Sequence, residues 1–399
     1  MSRGMFAVAL TVLIGATGAP PATAAVSFRG GSVMHAERVH LVFWDPSNSG
    51  LTFDPGYQEQ IETFIERVAA ASHSTSNVFS LIGQYGDATG PAAYEARYAG
   101  AIVDTDPLPA DPGSTCTEPL PPPLGTGPGW TACVSDAGIQ NELQSLIDAR
   151  RLPTGLGDMY IVLTPNGFGD CFGRGPSDCA LGGSASSSTP GYCGYHTDTG
   201  DPPILYAVVP YNAIAGHCQS RNPRPNGSTA DPAISTVAHE FTEIATDPLG
   251  DGWSDPGGYE IADLCLTSYG PNLGGSTGAT AYDQVIDGGH YYIQELWSDS
   301  SHACEASPKP DSVSISAPRR AAADALLTLT GSASDPQGKV IAYRWWFGDG
   351  RTANRRLAVY AFPKAGTYEL TLRITDSWGN WAYATRPITI TRTRGAARR

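Results

Sequence analysis

Three residues on one short stretch have the types and spacing to hold a cation: His239, Glu240 and Glu243, within Asp231-Pro-Ala-Ile-Ser-Thr-Val-Ala-His-Glu-Phe-Thr-Glu243. Asp231 can cap the first amides of a helix, and Pro232 fits its first turn, where a missing N–H costs nothing. Ile234, Val237, Phe241 and Ile244 recur at three- and four-residue spacing, which predicts a helix with one face on a core. On that helix His239 and Glu243 lie four apart and project side by side. An imidazole and a carboxylate so placed can grip one divalent cation, with Zn²⁺ the expected ion, one per chain. Glu240, beside the first ligand, is then positioned as general base toward water.

A zinc site of this kind needs a third protein ligand. Seventeen residues after Glu243 stands Glu260-Ile-Ala-Asp263-Leu-Cys265. Glu260 is the expected third ligand, and Asp263 the carboxylate that accepts the second N–H of the histidine and fixes its tautomer. Asp247, one turn past Glu243, is the alternative third ligand, although its place before Pro248 also suits a helix end. His196, His217 and His290 are spare ligand candidates, each more simply read as a surface or hydrogen-bonded histidine. The H-E-x-x-E pattern resembles the zincin metallopeptidase motif with Glu243 in place of the second histidine.

The elements that must position these groups are legible as alternating strands and helices. Val39 to Trp44, Asn77 to Ile82, Ala99 to Val103, Met159 to Thr164 and Ile204 to Val209 read as strands; about Gly56 to Ala71 and Asp136 to Arg150 read as helices. That pattern predicts an α+β body, a mixed sheet with helices of the zincin-like type. Past a Pro-rich linker at Ala306 to Pro310, four period-2 runs predict a small all-β immunoglobulin-like sandwich.

Composition bounds the rest. Met1 to Ala24 has a basic start, an apolar stretch and a small-residue cleavage site, the form of a secretory signal peptide. Domain limits are therefore set at 1–24 (signal peptide), 25–306, 307–393, and a basic tail at 394–399. All eight cysteines lie between Cys116 and Cys304, as in an exported, disulfide-bonded protein. The eight allow 105 pairings, and bonds between neighbours such as Cys116–Cys133 and Cys171–Cys179 are the simplest expectation. Residues 307–399 carry 15 Lys and Arg against 6 Asp and Glu, whereas residues 1–306 carry 10 against 33. An acidic body excludes a phosphate-tracking, nucleic-acid role, and no segment is long and apolar enough to expect a membrane span. The expected protein is a secreted monomer whose partner is an extracellular protein or a cell-wall polymer.

Two family resemblances follow from named pieces. Trp345-Trp-Phe-Gly-Asp349-Gly350, Ala365-Gly-Thr-Tyr368 and Thr375-Asp376-Ser-Trp-Gly379 make the sandwich similar to a PKD domain, with Trp346 standing where that family has Asp. The resemblance implies that Phe347 and Tyr368 are core residues and that the domain has an adhesive or spacing role, with polymer binding by Trp345 or Trp378 as the alternative. The body resembles the phosphate-induced (EXORDIUM-like) family over most of residues 36–304. The pieces are Phe43-Trp44, Tyr160 to Thr164, Cys193-Gly-Tyr-His196, Val237 to Glu243 with Asp247-Pro248, Trp253, Glu260 to Cys265, and Gln294-Glu-Leu-Trp297. That resemblance implies an extracellular or cell-wall location. Two functions stay open on these residues. One is a metal-dependent hydrolase, a zinc peptidase-like enzyme with a PKD accessory domain; the other is a non-catalytic wall protein in which the same cluster is a structural metal site.

Overall fold

The computed structural model describes residues 26–74, 76–110, 116, 130–172, 179–180, 191–213, 218, 223–276, 278–307, 311–334, 339–376 and 381–392. The signal peptide, linker residues 308–310, Asp335 to Gly338, His217, Trp378 and the basic tail lie outside these. The chain divides into two compact units, one ending at Ala306 and one starting at Ser307.

In the first unit the α-helices are α1 (Tyr57–Ala70), α2 (Asp136–Arg150) and α3 (Asp231–Thr246), and, besides short two-stranded pairs, the strands are β1 (Glu37–Trp44), β2 (Ala96–Asp104), β3 (Asp158–Leu163), β4 (Tyr195–Thr199) and β5 (Ile204–Val209). These five form one sheet in the order β2-β1-β3-β5-β4. Its first four strands run parallel, and β4 alone runs antiparallel, at the edge beside β5. Val39, Leu41 and Phe43 on β1, Ile161 on β3 and Ala207 on β5 pack into one core layer with α1 and α3; Val42, Tyr160, Val162 and Val208 pack into the other with α2. A strand covered on both faces needs apolar residues at successive positions, which is why β3 and β5 are buried along their whole length. The residues that the helical period assigned to the core face of α1, namely Tyr57, Ile61, Phe64, Ile65 and Val68, are all buried.

Two local expectations are corrected. Asn77 to Ile82 is no strand: a 3₁₀ helix runs over Val78–Gln84. The Asn77 side chain accepts from the Phe79 N–H, and the Ser80 hydroxyl donates to the Asn77 carbonyl, so local caps win over extended pairing. Asp231 does not cap α3. It is the first residue inside the helix, and its carboxylate accepts from the N–H groups of Asn226 and Ser228, tying the incoming loop instead.

In the second unit β6 (Asp311–Ser316), β7 (Leu327–Ser334) and β9 (Leu357–Tyr360) form one sheet. The other sheet is built on β8 (Val340–Trp346), β10 (Gly366–Asp376) and β11 (Trp381–Thr391). Leu329, Trp345, Phe347, Leu370, Leu372 and Ile388 close the core between them. Trp345 is fully buried and donates its indole N–H to the Arg355 carbonyl, a core role and not a polymer platform. Tyr368 is only partly buried against that core. At the turn after β8, Gly348 has φ 81°. A side chain there would meet the Glu369 carbonyl at 2.8 Å, so only glycine fits.

The cores of the two units share no residue. Residues 25–306 and 307–393 made as separate chains are expected to fold each with its own cooperative thermal transition. Loss of the near-ultraviolet circular dichroism signal in one fragment would show that this unit depends on the other.

Candidate functional site

α3 is buried on nearly every side, with only Thr236 partly exposed. His239, Glu240 and Glu243 therefore sit in the interior, where an unpaired charge costs several kcal/mol. Their surroundings come from two other segments. The first is Glu260 to Cys265, held by the Cys265–Cys304 disulfide and by the Trp297 N–H to Ile261 carbonyl bond of 2.8 Å. The second is the start of the edge strand β4.

The second histidine nitrogen is fixed from behind. Gln294 donates its amide N–H to the Ala262 carbonyl at 2.7 Å, so its oxygen is the atom that faces His239 Nδ1 at 3.2 Å. The Nδ1–H donates there, which points Nε2 into the site. Glu243 Oε2 lies 3.0 Å and Asp263 Oδ1 3.3 Å from that Nε2. The position behind the imidazole that sequence reasoning gave to Asp263 is thus taken by Gln294, and Asp263 faces the other nitrogen. The reason is the 3₁₀ turn at Asp263–Cys265: it spends Asp263 Oδ2 on the Glu260 N–H and aims Oδ1 forward.

Glu260 reaches the same place and meets His196 from β4. His196 Nε2 is 2.9 Å from Glu260 Oε2 and 3.6 Å from Glu243 Oε2. Metal-ligating atoms gather in two triads that share Glu243, one with His196 and Glu260 and one with His239 and Glu240. His239 Nε2, Glu260 Oε1 and Asp263 Oδ1 are buried with no hydrogen bond of acceptable geometry. Asp247 stays outside both triads; its Oδ1 accepts the Gly252 N–H at 2.6 Å and closes the end of α3. His290 stacks on Tyr282 elsewhere.

Electrostatics follow from this crowding. Burial pulls the His196 pKa down, but Glu260 and Glu243 outweigh it and hold the ring at about 10. Burial also opposes the charge on His239, and Glu243 and Glu240 raise its pKa well above the usual value all the same. Burial pushes Glu240 up to about 7, with His239 working against it. Glu260 is raised well above the carboxylate range, chiefly by burial. A cluster of four carboxylates and two imidazoles with unmatched lone pairs is a setting that a divalent cation stabilises. Four ligand atoms about 2.0–2.1 Å from a tetrahedral zinc lie roughly 3.3 Å apart. The donor separations of 2.9, 3.0 and 3.6 Å bracket that edge. The donors of each triad suit such an ion, with Glu243 common to both and His239 and Glu260 in different triads.

The cluster floors a cleft lined by Tyr195 to Asp198, Glu240, Glu243, Asp247 to Gly250, Glu260 and Asp263, with a cavity volume of about 80 Å³. One rim is β4, which has no further strand beside it among the described residues.

The second unit matches the family profile described as PKD domain, over residues 307–391. It is a PKD domain. The structure of the PKD1 domain of Vibrio cholerae metalloprotease PrtV shares 24% identity with it, covering 21% of this chain and 96% of that one at a TM-score of 0.19. In sequence, the chain is 34% identical over 135 residues to Protein EXORDIUM-like 3 of Arabidopsis thaliana, 31% of this chain and 36% of that protein. It is also 37% identical over 49 residues to pre-pro-metalloprotease PrtV of Vibrio cholerae, 12% of this chain and 5% of that protein. The chain thus spans about a third or less of the relatives it matches. A PKD domain and four disulfides, Cys116–Cys133, Cys171–Cys179, Cys193–Cys218 and Cys265–Cys304, are features of extracellular proteins. No helix of the described residues is long and apolar enough to cross a membrane.

Sequence reasoning missed Gln294 and ranked His196 only as a spare. Their signal was their place in short pieces, Gln294-Glu-Leu-Trp297 and Cys193-Gly-Tyr-His196, far from the motif in the chain. It also passed over Gly194. A Cβ there would lie 2.8 Å from Glu240 Oε1 and 2.5 Å from the Thr236 methyl, so a bare backbone is what lets β4 close onto α3. Asn212 clamps the contact, donating to the Cys193 carbonyl and accepting from Thr236. Gly194→Ala is expected to destabilise the fold by about 1–3 kcal/mol through overpacking, read as a lower urea midpoint at unchanged slope. An unchanged midpoint would mean that the strand and helix can part freely.

Proposed function

We propose that the first unit is a secreted metal-dependent hydrolase of the zinc peptidase type, a zincin-like body with the PKD domain as accessory. The observation that carries this reading is the gathering of unmatched carboxylate atoms on the floor of a cleft, with the unmatched His239 Nε2 buried behind them. His239 and Glu243 from α3, with Glu260 from the segment that follows, would hold Zn²⁺ and leave its fourth position open. Bound there, the ion supplies Lewis acidity toward a carbonyl oxygen and toward water. Glu240 takes the proton from the attacking water and delivers it to the leaving amine. Asp263 N–H, which donates to Glu243 Oε1 at 3.1 Å, holds that carboxylate in its orientation. A peptide longer than a few residues would run from the cleft along its rim. The open edge of β4 suits an extended peptide, which would add as a strand by main-chain hydrogen bonds. The likeness of the PKD domain to a part of a Vibrio cholerae metalloprotease is in keeping with its accessory place.

A second reading has its own observation. His196 supplies a fourth donor beside His239, Glu243 and Glu260, and four protein ligands are the form of a closed, structural zinc site. In that case the chain is an extracellular or cell-wall protein without catalysis.

Substitution separates the two. Protein purified without chelators is expected to hold about one zinc per chain by elemental analysis. Glu240→Gln keeps metal and fold and lowers peptide hydrolysis by about 10²–10⁴-fold. His239→Ala and Glu243→Gln lose the metal, and Asp263→Asn weakens metal or activity by about 10–100-fold. If Glu240→Gln loses metal as fully as His239→Ala, Glu240 is a ligand and the mechanism fails. If the parent holds zinc but shows no hydrolysis on a broad peptide library, the structural reading stands.

A further inference from the structure

A second group of carboxylates lies outside the cleft. Asp104 ends β2, Asp106 follows two residues on, and Glu142 stands on α2; their oxygens come within 4.8 Å of one another. Asp104 is 4% exposed. Its Oδ1 accepts the Asp106 N–H at 3.0 Å, but the buried Oδ2 has no donor, and neither has the buried Oε1 of Glu142. Buried carboxylate oxygens without a donor, in carboxylates that come within 4.8 Å of one another, need a proton or a cation between them. The backbone around them is pinned: Asp45 N–H donates to the Asp104 carbonyl at 2.7 Å, and the Trp44 indole donates to the Asp106 carbonyl at 3.0 Å. Arg150, farther along α2, attracts Asp104 through space. None of the three carboxylates lines the cleft.

We propose that Asp104, Asp106 and Glu142 form a calcium site that ties the end of β2 to α2. The choice of ion follows from the donors. An all-oxygen set suits a hard cation, whereas the imidazole-containing cluster at α3 suits zinc. Asp104 ends β2 and Glu142 lies midway along α2, so the cation would join the strand end to the helix. With three carboxylates, one of them exposed, the affinity belongs with extracellular modules, about 10⁻⁴–10⁻³ M.

The test uses full-length mature protein, saturated with zinc and freed of calcium, with thermal unfolding followed as CaCl₂ is added. The parent should gain about 5 °C at about 10 mM CaCl₂, and clearly less in MgCl₂ of the same ionic strength. Asp104→Asn and Glu142→Gln should lose that gain, yet melt at or above the parent in calcium-free buffer, because repulsion is relieved. Exposed Asp106→Asn, which leaves the buried pair in place, should reduce calcium affinity about tenfold and serves if the buried variants fail to fold. A parent with no calcium-specific rise overturns the proposal and leaves a proton shared by Asp104 and Glu142. Variants that keep the full rise also overturn it, by placing calcium elsewhere.

Discussion

Burying the charged face of α3 is the constraint on which the rest of the first unit depends. A helix with one wet face could carry His239, Glu240 and Glu243 at little cost, since water would solvate them. Here the helix is covered almost all round, so each of these groups must be compensated by protein or by an ion. The neighbouring architecture reads as that compensation. Gln294 accepts a hydrogen bond from His239 Nδ1–H, the Asp263 N–H holds Glu243, and His196 meets Glu260. What they leave is a set of lone pairs aimed at one region and a carboxylate, Glu240, beside it.

The covalent and steric supports follow the same demand. Glu260 to Cys265 is a short irregular segment with few backbone bonds of its own. Its position is set by the Cys265–Cys304 disulfide and by pairing with Trp297. β4 is a single edge strand, and its close approach to α3 depends on the missing side chain at Gly194 and on the Asn212 clamp, next to the Cys193–Cys218 disulfide. Both devices fix pieces of chain that do not form regular structure strongly enough to fix themselves, and both act within a few residues of a candidate ligand.

Much of the fold was legible in local pattern. The helical period named the buried residues of α1, and uninterrupted apolar runs marked β3 and β5, which are covered on both faces. The 3₁₀ helix at Val78–Gln84 was misread because a short apolar run buried on all sides carries no period, and only the Asn77 cap distinguishes it from a strand. At the site, His239, Glu240 and Glu243 were legible because one helix turn sets their geometry. His196 and Gln294 were not, since they lie 43 and 55 residues from His239 in the chain and reach it through sheet order and a disulfide-held loop. Asp263 was found but placed on the wrong side of the imidazole, because spacing tells which residue comes near and not which nitrogen it faces.

That fourth donor changes the chemistry expected from the motif. With His239, Glu243 and Glu260 alone, two carboxylates on the ion would lower its effective charge and make it a weak Lewis acid. His196 adds a neutral ligand but fills the position that hydrolysis needs open. The geometry separates the donors by depth. His239 is buried behind the cleft and locked by Gln294, whereas His196 and Glu260 line the cleft and bond to each other. A ligand locked from behind stays. A ligand with a ready partner beside it can turn aside, because its lone pair or charge is satisfied when it leaves. On the hydrolase reading proposed above, the His196–Glu260 pair is therefore where an incoming carbonyl would find its place, on the side bounded by β4.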